Sequence, residues 1–147
     1  MQWTPHVTVA SILKQDNKYL FVQERKDKRL VLNQPAGHWE AGETLIEAAI
    51  RETLEETAWH FEPQAITGIY QWHHERRGET FLRFCFSGTL LEHDSTQTLD
   101  PDIESTIWLT EDELSAQHAT HRSPLVQRCM DDYLSGIQHD LRIVSSL

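Results

Sequence analysis

The segment that most constrains the fold is residues 37–59, which reads GHWEAGETLIEAAIRETLEETAW. Its centre predicts a helix over residues 44–57, because Thr44 followed by Glu47 forms a capping box and apolar residues then recur at helical spacing. A loop-rich stretch, residues 30–43, is expected before this helix. The chain must therefore place an acidic helix directly after a glycine-containing loop.

Three glutamates crowd one side of the predicted helix, because Glu52, Glu55 and Glu56 are spaced i, i+3 and i+4. Like charges at this spacing repel, so the cluster is a poor choice for stability alone. Hard oxygen ligands that converge on one point are what Mg²⁺ or Mn²⁺ requires, with waters and substrate phosphates completing the coordination. A solvated acidic helix face is the alternative, and the cluster by itself does not decide between the two.

The other charges and glycines of this segment predict a scaffold. Glu47 precedes Arg51 by four residues, which is the favourable order for an ion pair. Arg51 is also placed to reach back to Glu43 and fix the preceding loop. The loop begins at Gly37 and contains Gly42, and such a backbone can point a carbonyl or amide group at a metal or a phosphate.

The spacing of the whole segment resembles the Nudix box, G-x5-E-x7-R-E-U-x-E-E-x-G-U, in which U is apolar. The positions in register are Gly37, Glu43, Arg51, Glu52, Glu55 and Glu56, and Trp59 fills the last apolar place. At average usage of roughly 5–7% per residue type, six such matches arise about once in 10⁷ start points. Thr53 stands where an apolar residue is usual and Ala58 where glycine is usual. These departures put helix packing and the turn after the helix in doubt.

The resemblance implies roles for the box residues. It implies a metal site, with Mg²⁺ expected and Mn²⁺ as the alternative, formed by Gly37, Glu52, Glu55 and Glu56. It implies a catalytic set consisting of Glu43, Arg51, Glu52 and Glu55. The implied reaction is attack by water on a phosphorus of an X-linked diphosphate. The general base stays open between Glu55, Glu52 and a carboxylate from a later loop.

Among the later carboxylates, Glu104 is the candidate for the metal site or the base. It follows an acidic loop and immediately precedes a strand that contains Trp108. The alternative is an ordinary solvated loop acid.

The remaining sequence predicts strands interspersed with short helices, without a regular βαβ repeat. Strands are expected over residues 6–13, 19–23, 65–73, 80–91 and 107–109, and helices are expected to open at Thr110 and at Ser123. With 147 residues, 39% of them hydrophobic, the chain suits one domain over residues 1–147. Together with the resemblance, this predicts an α/β (α+β) fold, a Nudix-type α/β/α sandwich with a mixed sheet.

A wider resemblance points to the NudJ-type phosphatase branch of the family. The matching segments are PHVTVA, LNQPAGHWEAGETL, QWH, FLRFCF and RSPLV, between residues 5 and 126. This branch implies hydrolysis of nucleoside tri- and diphosphates, and of thiamine and hydroxymethylpyrimidine diphosphates, with release of orthophosphate. Most relatives that act on nucleoside triphosphates release pyrophosphate instead.

Four residues are candidates for substrate binding. Trp39 in the box loop, and Trp72 and His73 near a strand end, offer rings that stack on a base. Arg83 is expected to bind a phosphate or a base edge, since an arginine among apolar strand residues needs a partner. Packing is the alternative for each aromatic residue.

The charge balance excludes some partners. The chain has 13 basic and 23 acidic residues, a formal net charge of −10, so we expect no nucleic-acid and no membrane surface. A small phosphate substrate then requires local cations over some carboxylates. The first residues lack a signal-peptide pattern, so we expect a cytoplasmic protein. A monomer is expected because no long apolar stripe is evident.

Two other functions stay open on the sequence. One is a Nudix hydrolase of another nucleoside diphosphate substrate, which releases pyrophosphate or a nucleoside monophosphate. The other is a non-catalytic nucleotide-binding module, which predicts loss of box carboxylates that this chain retains.

Overall fold

The computed structural model describes residues 2–147, which form two β-sheets and several helices. The strands are β1 (His6–Ile12), β2 (Lys14–Gln15), β3 (Lys18–Lys26), β4 (Arg29–Asn33), β5 (Ala36–His38), β6 (Trp59–His74), β7 (Glu79–His93), β8 (Ile103–Leu109) and β9 (His139–Asp140). The α-helices are α1 (Leu45–Thr57), α2 (Glu111–Ala116) and α3 (Pro124–Leu134), with 3₁₀ turns at His118–Thr120 and Leu141–Ile143. Within this part of the chain, no helix is long and apolar enough to cross a membrane.

The larger sheet has the strand order β5-β1-β7-β6-β9. It is mixed, because β1 runs parallel to β7 while the other neighbours are antiparallel. Helix α1 covers one face, where Ala48 and Ala49 pack with Val9 and Phe86. Helix α3 covers the other face through residues that include Cys129. The predicted α/β/α sandwich with a mixed sheet is therefore confirmed.

The smaller sheet is built around β3 and packs with α3 over the second face of the larger sheet. Strand β8 pairs along one edge of β3, and β2 and β4 pair along the other. Phe21 and Leu32 from this sheet share one buried cluster with Val126 of α3 and Cys85 of β7. The two sheets thus enclose a core that opens at one end into a cleft.

Several predicted boundaries are wrong. The stretch over residues 30–43, predicted to be loop-rich, holds most of β4 and all of β5. The pairing of β5 with β1 is a contact between distant segments, which local composition does not reveal. The later strands are also longer than predicted, since β6 begins at Trp59 and β8 at Ile103.

Both free cysteines, Cys85 and Cys129, are buried.

Helix α1 begins and ends as its sequence requires. Thr44 and Glu47 form the predicted capping box. Thr53 is buried, donates to the Ala49 carbonyl and is hydrogen-bonded to Ser11 at 2.8 Å, so the polar residue is satisfied inside the core. Ala58 ends the helix in the left-handed region with φ 65°, so the sharp turn forms without glycine.

Candidate active site

A cleft of about 730 Å³ lies between the two sheets. Its carboxylates are Glu24, Asp27, Glu40, Glu52, Glu56, Asp100 and Asp102. Its cations are Lys26, Arg29, Arg76, Arg77, Arg83 and Arg122. Six of the 13 lysine and arginine residues of this acidic chain thus line one cleft. This concentration supplies the local cations that a phosphate substrate requires.

Two box glutamates enter the cleft beside its edge strand. Glu52 and Glu56 are 9% and 6% exposed, and one oxygen of Glu56 accepts a hydrogen bond of 2.8 Å from the Ala36 amide. Helix α1 lies on the face of the larger sheet away from the cleft. Its side chains reach the cleft around β5, because β5 is the edge strand of that sheet. A Cβ atom on Gly37 would overlap the Glu52 carboxyl group, which explains the glycine at this position.

Arg51 ties the helix to the preceding loop. Its guanidinium donates to both carboxylate oxygens of Glu43, at 2.9 and 2.7 Å, and to the His38 carbonyl at 3.0 Å. It also donates to one oxygen of Glu52 at 2.8 Å. The hydrogen bond from Arg51 lowers the pKa of Glu43, and the same bond raises the pKa of Arg51.

The expected contact between Arg51 and Glu43 is present, whereas the expected ion pair with Glu47 is not. The Glu47 carboxylate instead accepts from the Thr44 amide in the capping box. Among residues 2–147, the ion pairs of Arg51 are with Glu40, Glu43, Glu52 and Glu55.

Burial makes the cleft carboxylates unusual acids. It raises the pKa of Glu52, and it raises the pKa of Glu56 to about 9, with neighbouring carboxylates such as Glu24 and Asp100 adding to the effect. Burial therefore makes it unfavourable to ionise both glutamates, even with Arg51 beside Glu52. A bound divalent cation removes this penalty, because it favours the ionised form.

The donor set fits a divalent cation that keeps several waters. Over residues 2–147, no three His, Cys, Asp or Glu side chains already converge as a closed cage. Glu52 and Glu56 each use one oxygen in a hydrogen bond, and the second oxygen of each has no such partner within the described chain. Mg²⁺ usually takes one or two carboxylates and completes its shell with waters and phosphates, so two free oxygens in a cleft are sufficient.

The raised pKa of Glu56 predicts how the metal-free protein responds to pH. The folded state holds the Glu56 proton more tightly than the unfolded chain, so this group favours folding below about pH 4.5. Its contribution is lost as pH rises towards about 9. In EDTA, we expect Glu56→Gln to be more stable than wild type at pH 8 by a few kcal/mol, with a smaller difference at pH 5. Urea unfolding at both pH values measures the free energy of unfolding. An equal change in this free energy between pH 5 and pH 8 for the two proteins would contradict the prediction.

The predicted substrate residues fall into two groups. Trp72 and Arg83 line the cleft. His73 lies on the face of β6 opposite to Trp72, where it is exposed and hydrogen-bonded to Thr80. His74, two residues from Trp72 and on the same strand face, lines the cleft instead of His73. Trp39 is 48% exposed and donates to the Glu43 carbonyl, so it supports the box loop outside the described lining.

Two carboxylates expected at the metal site lie outside the described cleft lining. The Glu104 side chain is about half exposed and pairs with Arg25 at 3.6 Å. Glu55 is 42% exposed in its side chain and receives one hydrogen bond of 3.3 Å from Arg51. Asp100 and Asp102 of the acidic loop line the cleft instead. Strand alternation explains the difference, because Glu104 points away from buried Ile103.

This placement predicts different effects for two acidic residues that are four positions apart. We expect Asp100→Asn to lower turnover about tenfold or more, because Asp100 lines the cleft and its charge acts on Glu52 and Glu56. Glu104→Gln is expected to stay within about twofold of wild type, as an exposed ion pair contributes little. Steady-state kinetics of both variants check this, and the reverse order of effects would contradict it.

Sequence reasoning missed several charged residues of the cleft, and two of them, Glu24 and Arg122, form an ion pair. Glu24 on β3 is 3% exposed, and its carboxylate accepts a hydrogen bond from Arg122. The sequence feature that could have identified Glu24 is its position two residues after the apolar Val22, and therefore on the same strand face. Arg122 opens the RSPLV segment, which the wider resemblance had already singled out.

Sequence reasoning singled out Trp72 but missed the row of rings to which it belongs, of which Trp72, Phe81 and His38 line the cleft. Phe81 stacks on Trp72 with ring centroids 5.6 Å apart and on His6 at 4.9 Å, and His6 meets His38 at 5.2 Å. These residues come from four different strands, so their proximity depends on the strand order of the sheet.

Comparisons with known proteins agree with this geometry. A model of the NUDIX domain matches residues 4–129. The Phosphatase NudJ of Escherichia coli strain K12 is 40% identical over 140 residues, which cover 95% of this chain and 90% of the relative. A NUDIX hydrolase from Nitrosomonas europaea has a TM-score of 0.95 and 45% identity, with 98% of both chains covered.

A more distant structure shares the fold alone. It is a bifunctional NMN adenylyltransferase/ADP ribose pyrophosphatase from Francisella tularensis, solved with AMP and a Mn ion. Its TM-score is 0.75 and its identity 16%, over 91% of this chain and 42% of the other.

Proposed function

This chain belongs to the Nudix hydrolase family, and from that premise we propose that it is a metal-dependent phosphatase of the NudJ type. Its substrates are nucleoside tri- and diphosphates and the diphosphates of thiamine and hydroxymethylpyrimidine, and its product is orthophosphate. The observation that carries this proposal is the pair of buried carboxylates, Glu52 and Glu56, in a cleft that also contains six cations and a stacked aromatic pair.

The metal ligands in this proposal are Glu52 and Glu56, with the Gly37 carbonyl beside them and Glu55 and Asp100 in support. A Mg²⁺ ion bound there would neutralise part of the phosphate charge and make the attacking water more acidic. Mn²⁺ satisfies the same oxygen ligands.

The side chains around these ligands orient them and move the proton. Arg51 fixes Glu52 through a 2.8 Å hydrogen bond, and it is itself held by both oxygens of Glu43. The attacking water loses a proton to a carboxylate.

The substrate end of the cleft supports a ring attached to phosphates. Trp72 and Phe81 stack with an interplanar angle of 27°, and both line the cleft. A heteroaromatic ring such as a nucleobase or a pyrimidine gains from stacking beside such a pair. The identity to the NudJ relative over 95% of the chain favours this substrate class over that of other family members.

Product analysis with Mg²⁺ tests the proposal. The purified protein is offered GTP, CTP, GDP and thiamine diphosphate, and orthophosphate is assayed with and without inorganic pyrophosphatase. EDTA-treated enzyme and Glu56→Gln are the controls, and both are expected to be inactive at the wild-type concentration.

Orthophosphate from triphosphates and diphosphates without the helper enzyme is the expected result. If the triphosphates give orthophosphate only when pyrophosphatase is present, the chain is a pyrophosphohydrolase of another type. No product from any substrate would favour a nucleotide-binding module.

A further inference from the structure

Arg83 is a buried cation whose guanidinium is incompletely partnered. The residue is 5% exposed and lines the cleft. None of the ion pairs within residues 2–147 includes Arg83, and its buried Nε atom has no hydrogen-bond partner there. A buried charge is costly unless an opposite charge compensates it. An anion that enters the cleft would supply this compensation.

Neutral side chains hold the guanidinium in place. Its two terminal nitrogens donate to the Gln34 amide oxygen at 3.0 Å and to the Asn33 amide oxygen at 3.1 Å, and the nitrogen bonded to Gln34 also donates to Cys129 Sγ at 3.9 Å. Gln34 is itself anchored, because its amide nitrogen donates to the Val126 carbonyl at 2.8 Å. Amide oxygens orient a guanidinium without neutralising it. The network thus keeps a fixed positive charge available for a ligand.

The strand register places Arg83 between the carboxylates and the aromatic pair. Thr8 of β1 pairs with His38 of β5 on one side and with Arg83 of β7 on the other, so Arg83 lies two strands, about 10 Å, from the edge where Glu52 and Glu56 enter. Phe81 shares the strand face with Arg83, about 7 Å further along β7.

We propose that Arg83 binds the phosphate nearest the substrate's ring and thereby sets which phosphorus is attacked. This inference rests on the proposed function. A ring beside Trp72 and Phe81 directs its phosphate chain past Arg83 towards Glu52 and Glu56. With the ring-proximal phosphate held at Arg83, a more distal phosphate reaches the carboxylates. This position of Arg83 would favour attack on a phosphorus beyond the ring-proximal one, as the proposed release of orthophosphate requires.

The bonds change as follows for a diphosphate or a triphosphate. The water oxygen forms a bond to the terminal phosphorus, and the bond from that phosphorus to the bridging oxygen breaks. The bridging oxygen stays with the retained phosphate, the water gives up a proton, and orthophosphate leaves. If a triphosphate slides inward by one position, the water attacks the middle phosphorus instead. The bond from that phosphorus to the oxygen that bridges to the ring-proximal phosphorus then breaks, that oxygen stays with the nucleoside monophosphate, and pyrophosphate leaves.

The first test is the product ratio from CTP and GTP with Arg83→Gln. This variant removes a buried charge that has no carboxylate partner, so it is expected to fold. We expect the share of pyrophosphate to rise about tenfold or more, as loss of a charge-assisted hydrogen bond implies. Arg83→Lys should restore part of the wild-type ratio. Arg25→Gln, an exposed arginine outside the described lining, is the matched control and should leave the ratio unchanged.

The second test uses wild-type protein in EDTA and needs no variant to fold. Calorimetry compares CMP, GMP and thiamine monophosphate with cytidine, guanosine and thiamine. The tightest monophosphate is expected to bind about tenfold or more tightly than its dephosphorylated form, and Arg83→Gln is expected to remove this difference. Equal affinities, or no binding of any monophosphate, would overturn the inference.

The two proposals fail in different ways. If wild type releases orthophosphate and Arg83→Gln lowers the rate with an unchanged product ratio, the role of Arg83 is wrong and the phosphatase proposal stands. If wild type itself releases pyrophosphate from CTP and GTP, both proposals fail.

Discussion

Replacing Glu56 by glutamine is expected to lower turnover by roughly 10³-fold or more while the fold stays intact. Glutamine has nearly the same shape and still accepts the hydrogen bond from the Ala36 amide, so the local backbone contact survives. The substitution removes the negative charge of Glu56, which would balance the charge of a cation beside Glu52. Turnover at saturating Mg²⁺, together with circular dichroism of both proteins, measures the two effects separately.

The matched control for this experiment is Glu62→Gln, because Glu62 is an exposed glutamate on β6 outside the described cleft lining. It is expected to retain wild-type turnover. Near-normal activity of Glu56→Gln, with the control also active, would remove Glu56 from the metal site. A shift of the Mg²⁺ requirement to higher concentration would support its role as a ligand.

Gly37→Ala is expected to lower turnover by roughly 10²-fold or more. The added methyl group would overlap the Glu52 carboxyl group, so that side chain has to leave its position in the cleft. Displacement of a catalytic group by about 1 Å is enough for a loss of this size. Steady-state kinetics with a Mg²⁺ titration is the measurement, and we expect the apparent affinity for Mg²⁺ to fall as well.

Gly136→Ala separates this effect from a general cost of replacing glycine. Gly136 follows α3 with φ 81°, and open space surrounds the position of its missing Cβ. The variant should lose about 1 kcal/mol of stability and keep its turnover. If Gly37→Ala behaves in the same way, losing stability alone, the close approach of Gly37 to Glu52 has no catalytic role.

Local sequence patterns were enough for the helix and its carboxylates. The capping box at Thr44, the spacing of the glutamates and the reach of Arg51 to Glu43 each depend on residues within about two helical turns or one short loop. Interactions of this range follow from backbone geometry. The same reasoning failed for Glu47 as a partner of Arg51, because the capping box already uses that carboxylate.

Contacts between distant segments account for the errors. Strand β5 has three residues and exists through its pairing with β1, so its own composition gives little sign of it. Glu104 was chosen by its place in the chain, yet strand alternation turns it towards Arg25. Arg83 was expected to need a partner, but sequence could not show that Asn33 and Gln34 hold it and leave one nitrogen free.

The sequence by itself determined the chemistry that this protein carries: an acidic helix, a glycine loop before it and the family to which both belong. Short-range spacing specifies such features, since a helix brings residues three and four apart together in any fold. The tertiary structure alone decided which carboxylates enter the cleft, where six cations gather on an acidic chain, and how Arg83 stands between the carboxylates and the ring pair. Those relations depend on strand order and register, which join residues far apart in the chain.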